Sequence, residues 1–350
     1  MRFLMAFAVV LVTAGSMQGG QGRTAYPHIP RIDVHTHAGT DTKAISRYLE
    51  LREHLKATRG ADLAMWINLG GGKDPIADPV DIVEAGKGRM LPCISDYSSH
   101  DGLMFSPEEL SRCTARGYVG YKIWAGPWPR KLKSPQEGYP YIDDPALDST
   151  FAAAEKLGLL LASIHIADPC GPWGKRTRWL PDPVEYWHNI TAWRNVMERH
   201  PKLNVVCAHA MWAICQDAQI DYLRHMLATF PNMNVDLAAT FQYYDLVTRD
   251  NLRSFMIQYA DRILYGTDVG RWDSAKRTKG YAEQYWRTFR ILETDETVDG
   301  GFFSRDPIPG LALPEDVLAK IYYQNAARIY PRVKAQLETL GYMEPRGTRR

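Results

Sequence analysis

His35 and His37, one residue apart, close the apolar run Ile32-Asp33-Val34-His35-Thr36-His37. Side chains i and i+2 of a strand leave the same face, so two imidazoles at this spacing can hold one ion while Thr36 faces away. Three further candidates stand at the ends of later apolar runs: His165 closes 159–165, His209 closes 205–209, and Asp268 follows 263–267. Neutral imidazole and carboxylate suit a borderline divalent ion, zinc first, with manganese, iron or cobalt also fitting, and a catalytic site leaves one position open for water. His35, His37, His165 and Asp268 supply four groups and His209 a fifth. A lone histidine near a strand end is more often a satisfied core residue, and Asp268 in Gly266-Thr267-Asp268 also reads as a turn residue. Four strand ends carrying ligand-type residues in one chain make joint coincidence a poor explanation.

The elements that would position these groups repeat along the chain. Eight apolar runs, at 32–37, 63–69, 90–95, 119–124, 159–166, 203–209, 234–238 and 263–267, read as strands. Stretches with helical periodicity stand between them at 42–56, 107–116, 145–157, 187–200, 218–230 and 249–259. A last helix is expected from Leu313-Pro314-Glu315-Asp316 to Ile329, with proline suited to its first turn and Pro331 beyond its end. Strands alternating with helices imply an α/β fold, and eight such units imply a closed (β/α)8 TIM barrel. Barrel enzymes carry their chemistry at the carboxyl ends of the strands, where every candidate ligand lies. A doubly wound open sheet would want a glycine-rich loop after the first strand, and Ala38-Gly39-Thr40 does not supply one.

The chain has 350 residues, 45% hydrophobic and 23% charged, enough for one large core without a second domain. Residues 1–22 read as a signal peptide and lead: a basic start at Arg2, a short apolar centre over 3–12, then small residues. Export to the periplasm or the extracellular space is the expectation, with the apolar centre well short of the roughly 20 residues that span a bilayer. Residues 23–335 then form one barrel and 336–350 a tail. A formal net charge of +2, with no basic stripe apart from the 346–350 end, argues against nucleic acid as a partner. The five cysteines have no Cys-x-x-Cys spacing, which removes a zinc knuckle or redox motif; Cys113, Cys170 or Cys215 remain free to pair in an oxidising compartment.

The ordered set of Asp33-Val34-His35-Thr36-His37, Gly117-Tyr118-Val119-Gly120-Tyr121-Lys122, His165, His209, Tyr265-Gly266-Thr267-Asp268 and Tyr323-Gln324-Asn325-Ala326-Ala327-Arg328 resembles the amidohydrolase superfamily. The likeness is to its amidohydrolase-related branch, which includes aminocarboxymuconate semialdehyde decarboxylase, and it runs from Ile32 to about Tyr330. The resemblance implies that His35, His37, His165 and Asp268 bind one ion, while His209 acts as an acid, a base or a carbonyl-orienting group. With water activated by such an ion, Asp268 is the expected acceptor of its proton. Lys122 stands where binuclear members carry a carboxylated lysine that bridges two ions. The reading preferred here is a surface-seeking or substrate-binding lysine.

Long loops after the later strands are rich in rings and guanidinium groups. Trp124, Arg130, Arg178, Trp212 and Arg271 are the candidates for holding a small cyclic or aromatic acid. The leading expectation is a metal-dependent hydrolase of an ester, lactone or amide. A metal-dependent, non-oxidative decarboxylase of an aromatic or unsaturated acid is the alternative, and a secreted binding protein that has lost its chemistry stands behind both. A homodimer is common in the family that the chain resembles, though no residue in the sequence specifies one.

Overall fold

The computed structural model describes residues 22–70, 78–95, 105–126, 140–171, 183–299 and 306–343. The expected signal segment, Arg130, Arg178 and the last residues of the expected tail lie outside the described residues.

Among the described residues eight strands run parallel in sequential order. They are β1 (Arg31–His37), β2 (Leu63–Asn68), β3 (Met90–Pro92, resumed beyond Cys93 at Ile94–Ser95), β4 (Tyr121–Lys122), β5 (Leu161–Ile164), β6 (Val205–Cys207), β7 (Met233–Asp236) and β8 (Ile263–Leu264, resumed at Val269–Gly270). The two interrupted strands join the ladders into a ring. The first half of β3 pairs with β2 and its second half with β4, while the first half of β8 pairs with β7 and its second half with β1, Thr36 lying opposite Val269. Bonds from Val34 N to Tyr265 O (3.0 Å) and from Asp268 N to His35 O (2.9 Å) close the seam. All eight strands coincide with the apolar runs read from the sequence, because a strand buried on both faces is apolar throughout.

Each strand leads into a helix: α1 (Thr42–Arg59), α2 (Pro79–Ala85), α3 (Pro107–Ala115), α4 (Asp148–Leu157), α5 (Pro183–Arg199), α6 (Asp217–Thr229), α7 (Arg249–Gln258) and α8 (Ala275–Glu293). Local chemistry starts several of them. Asp41 accepts from Lys43 N at the head of α1, and Ser106 with Glu109 forms a reciprocal capping box ahead of Pro107 at the head of α3. Two helices lie outside the periodic stretches expected. α2 has only seven residues, too few to display a period. α8 buries a face made of Thr278, Ala282, Tyr285, Trp286, Phe289 and Leu292, where small polar and aromatic residues replace the usual aliphatic stripe. A short antiparallel pair, β9 (Thr297–Val298) with β10 (Ile308–Pro309), follows α8.

The closing helix α9 is α-helical at Glu315–Ala319 and Asn325–Ile329 around a π turn at Lys320–Gln324. α10 (Val333–Thr339) follows. Ile32, Val34, Ile67, Leu91, Val119, Leu160, Val206 and Leu264 belong to one buried cluster, and residues on so many different strands can meet only inside the ring. Ala326, Tyr330, Val333 and Leu337 join that cluster from α9 and α10. Arg332 donates to Gly117 O just ahead of β4, at the amino end of the barrel. The two terminal helices therefore form its floor. α10 crosses the boundary expected after residue 335, and Tyr342 bonds Asp62 at 2.8 Å, so packed chain continues past that point.

Candidate metal centre

The floor leaves the carboxyl ends of the strands as the place where polar side chains gather. His35 and His37 end β1, Lys122 ends β4, His165 follows β5, His209 follows β6, Asp236 ends β7, and Asp268 sits in the gap of β8. Ring centroids lie 5.2 Å apart for His35 and His37, 4.7 Å for His35 and His209, and 5.0 Å for His165 and His209. The Asp268 Oδ1 stands 3.1 Å from His37 Nε2 and 3.4 Å from His35 Nε2. One ligand atom each from His35, His209 and Asp268 falls within a 4.8 Å sphere of mutual distances. The five expected residues thus meet at one mouth, and among the described residues the trio whose ligand atoms lie within 4.8 Å of one another includes His209 and leaves out His37 and His165.

Hydrogen bonds behind the rings fix which nitrogen faces inward. His35 Nδ1 bonds Asp236 Oδ2 (2.9 Å), His37 Nδ1 bonds Gly70 O (3.0 Å), and His209 Nδ1 bonds Ala238 O (2.8 Å). A neutral imidazole that donates from one nitrogen offers a lone pair on the other. His165 is turned the opposite way: its Nε2 bonds Asp168 Oδ1 (3.0 Å). His35 Nε2, His37 Nε2 and His165 Nδ1 are buried and have no hydrogen-bond donor facing them. The His35 and His37 Nε2 atoms thus stand as acceptors around the negative charge of Asp268. Such a set is destabilised by burial unless a cation or proton stands among its members, and its donor types fit a zinc-class ion.

The electrostatics agree with this geometry. Burial pushes the His37 and His209 imidazoles below their usual range, His209 strongly, so both are held in the neutral form that binds metal. Burial lowers His35 too, but the adjacent Asp236 carboxylate outweighs it and raises the ring, with the proton on Nδ1. Asp33, fully buried beneath the site, is pushed up to about 6 by burial despite bonds from His35 N, Thr267 and Tyr285.

The backbone at the site is specialised. His209, Ala210, Met211 and Trp212 have φ of 56°, 48°, 59° and 54°, a left-handed turn made without glycine. Backbone of this kind costs L-residues about 1–2 kcal/mol each and concentrates at functional sites. Asp236 helps hold the turn by accepting from His209 N at 2.9 Å. Gly126 is required by His165: a Cβ there would come within 2.6 Å of the ring.

The remaining candidates divide. Trp124 stacks on His165 (5.5 Å, 14°) and also meets His37 (5.6 Å), and Trp212 stacks on His209 (4.5 Å, 18°). Both indoles thus wall the centre. Arg271 is exposed and does not line the cavity that reaches Asp268. Lys122 corrects the surface-seeking expectation. It is fully buried, its Nζ donates to Ser163 O and lies 4.9 Å from the Trp124 ring centroid, and its charge acts on His35 and His37. Sequence reading missed Asp236, whose partner ring is 201 residues away, and the arginines of α8.

A family model described as Amidohydrolase matches residues 106–332, more than half of the chain. No curated protein matches the chain. Among solved structures, an uncharacterised TIM-barrel protein from Bordetella bronchiseptica has 16% identity and a TM-score of 0.53, over 88% of this chain and 99% of its own. A putative 2-pyrone-4,6-dicarboxylic acid hydrolase from Pseudomonas putida has 11% identity and a TM-score of 0.50, over 86% and 97%. A 2,6-dihydroxybenzoate decarboxylase complexed with 2,6-dihydroxybenzoate has 16% identity and a TM-score of 0.49, over 86% and 98%. At such identities the first two show a shared barrel and do not specify a substrate.

Proposed function

The chain belongs to the amidohydrolase family, and from that premise we propose that it is a metal-dependent hydrolase that opens a C–O or C–N bond of a small acid, acting on an ester, lactone or amide. The observation that carries this reading is the inward set of imidazole lone pairs, each with its other nitrogen anchored, around the Asp268 carboxylate. His35, His37, His165 and Asp268 are the proposed ligands of the ion, with zinc favoured and manganese, iron or cobalt fitting the same donors. When bound, a divalent ion brings the pKa of water from 15.7 to about 7 and polarises a carbonyl.

The chain's own residues then have distinct tasks. Asp268 Oδ1 faces the His35 and His37 rings, which leaves the other carboxylate oxygen to take the proton of the attacking water and return it to the leaving group. His209 gives its Nδ1 hydrogen to Ala238, so its Nε2 can take a proton or complete the ligand set but cannot donate in the neutral state. Asp236 keeps the His35 tautomer fixed during the cycle. Trp124 and Trp212 hold the His165 and His209 planes and keep water from their outer faces. The proposal retains export, supported by the 1–22 composition; N-terminal sequencing of secreted protein tests that part.

Elemental analysis of purified protein beside a His35→Ala/His37→Ala variant, followed by ester, lactone and amide screens, tests the whole. The expected result is about one metal equivalent, lost in the double variant, with turnover abolished in a folded Asp268→Asn protein. Two equivalents would promote the buried Lys122 to a carboxylated bridge. Release of carbon dioxide from aromatic acids without hydrolysis of any screened bond would replace this reading with the decarboxylase one.

A further inference from the structure

A cavity of about 780 Å³ opens beside Asp268, between α8 and the segment that follows β7. Pockets of a few hundred to about 1,000 Å³ hold small ligands. Its α8 wall carries Arg277, Tyr281, Gln284 and Arg287, spaced i, i+4, i+7 and i+10, which is one helical face. Arg277 is exposed at the rim, whereas Arg287 is partly buried and its Nε is sealed from solvent with no partner. Among the described residues no carboxylate lies within ion-pair distance of Arg287. Glu283, which also lines the cavity, is neutralised by Arg59 at 2.7 Å, and Asp299 acts on Arg287 only through its field.

The opposite wall has a matching deficit. Gln242 donates its amide to Ala239 O at 2.8 Å, and its Oε1 is buried without a donor. A buried guanidinium N–H without an acceptor and a buried amide oxygen without a donor both carry a desolvation penalty, which a ligand relieves once each side chain turns that atom into the cavity. Planar guanidinium matches carboxylate in a two-point contact.

We propose that this cavity receives the acid end of the substrate. Arg287 grips a carboxylate, Gln242 accepts from a hydroxyl or N–H group on the same molecule, and the scissile bond projects toward Asp268. The substrate class is then a small carboxylic acid that also carries a hydrogen-bond donor. This rests on the hydrolase reading for the identity of the bond broken, but the binding preference does not depend on it. The carboxylate-gripping residue then lies on α8, and its companion Gln242 on the segment that follows β7.

The test uses the full chain loaded with zinc, with 3-hydroxybenzoate, its neutral methyl ester and benzoate as probes, binding being read by calorimetry. Wild type is expected to bind the acid at least about tenfold more tightly than the ester. Arg287→Gln should erase that preference, Arg287→Lys should keep part of it, and Gln242→Leu should remove the advantage of 3-hydroxybenzoate over benzoate. Zinc content and melting temperature, measured on every variant, establish that the fold and the metal centre are intact. Equal affinity for acid and ester in wild type overturns the proposal, as does a preference that survives Arg287→Gln. Absent hydrolysis with an intact, Arg287-dependent preference would instead fault the hydrolase reading alone.

Discussion

Asp236 illustrates how much of the proposed metal centre resides behind its candidate ligands. Its carboxylate fixes the His35 tautomer through Nδ1 and steadies the His209 turn through the backbone. Replacing it with asparagine keeps the size but lets the amide donate toward His35, which favours the wrong tautomer. Asp236→Asn is expected to weaken metal affinity by about 10- to 100-fold, measured by chelator competition, with the fold retained by circular dichroism. Unchanged affinity would mean that His35 is not a ligand. The five inward groups were legible in the sequence because each closes an apolar run, so that strand ends could be located without the fold. Asp236 was not, because Asn234-Val235-Asp236 carries no local mark of a partner on β1. The burial of Lys122 was not legible either: the surface-seeking half of its reading falls only once the ring of strands closes around it.

At the scale of elements, α8 links three functions. Tyr285 bonds the buried Asp33 beneath the site, Glu293 pairs with the fully buried Arg31 at 2.7 Å, and the Arg277 to Arg287 face borders the cavity. None of these ties has a local mark in the sequence, since each partner lies on another element. A different kind of tie joins α6 to α7. Asp217 accepts from Thr248 Oγ1 (2.7 Å), Thr248 N (3.1 Å) and Asn251 Nδ2 (2.9 Å). Burial pushes the Asp217 carboxyl up, but these bonds outweigh it and hold the group below its ordinary value. A carboxyl whose folded pKa is depressed stabilises the fold above its unfolded pKa, near 3.9, and that stability is lost as pH falls through the folded value. Asp217→Asn should therefore cost less than about 1 kcal/mol near neutral pH, solvent screening at this accessible site reducing the charge contribution. The difference from wild type should shrink below about pH 4, as followed by urea unfolding across pH. A cost that persists undiminished in acid would show that the charge is not its source.

The whole molecule was readable to the extent that eight apolar runs in order can close only a few ways. Eight parallel strands leave no free edge and place all carboxyl ends at one mouth. The floor was less readable, because 336–350 looks like a solvated tail and its apolar residues are few. Leu337 is nonetheless fully buried among residues contributed by several strands. Leu337→Ala is expected to lower stability by about 2–5 kcal/mol, with metal content preserved, as judged by chemical denaturation of the metal-loaded protein. A loss below about 0.5 kcal/mol, the level of an ordinary surface change, would place Leu337 outside the core.

That floor also governs traffic. With Ala326, Tyr330, Val333 and Leu337 stopping the barrel below, a molecule cannot pass through it from one end to the other. Reactant and spent fragment must use the same side of the barrel, one departing before the next arrives. Added product should therefore compete with substrate, raising apparent KM while leaving kcat unchanged, and initial-rate measurements with product present would reveal that order of turnover.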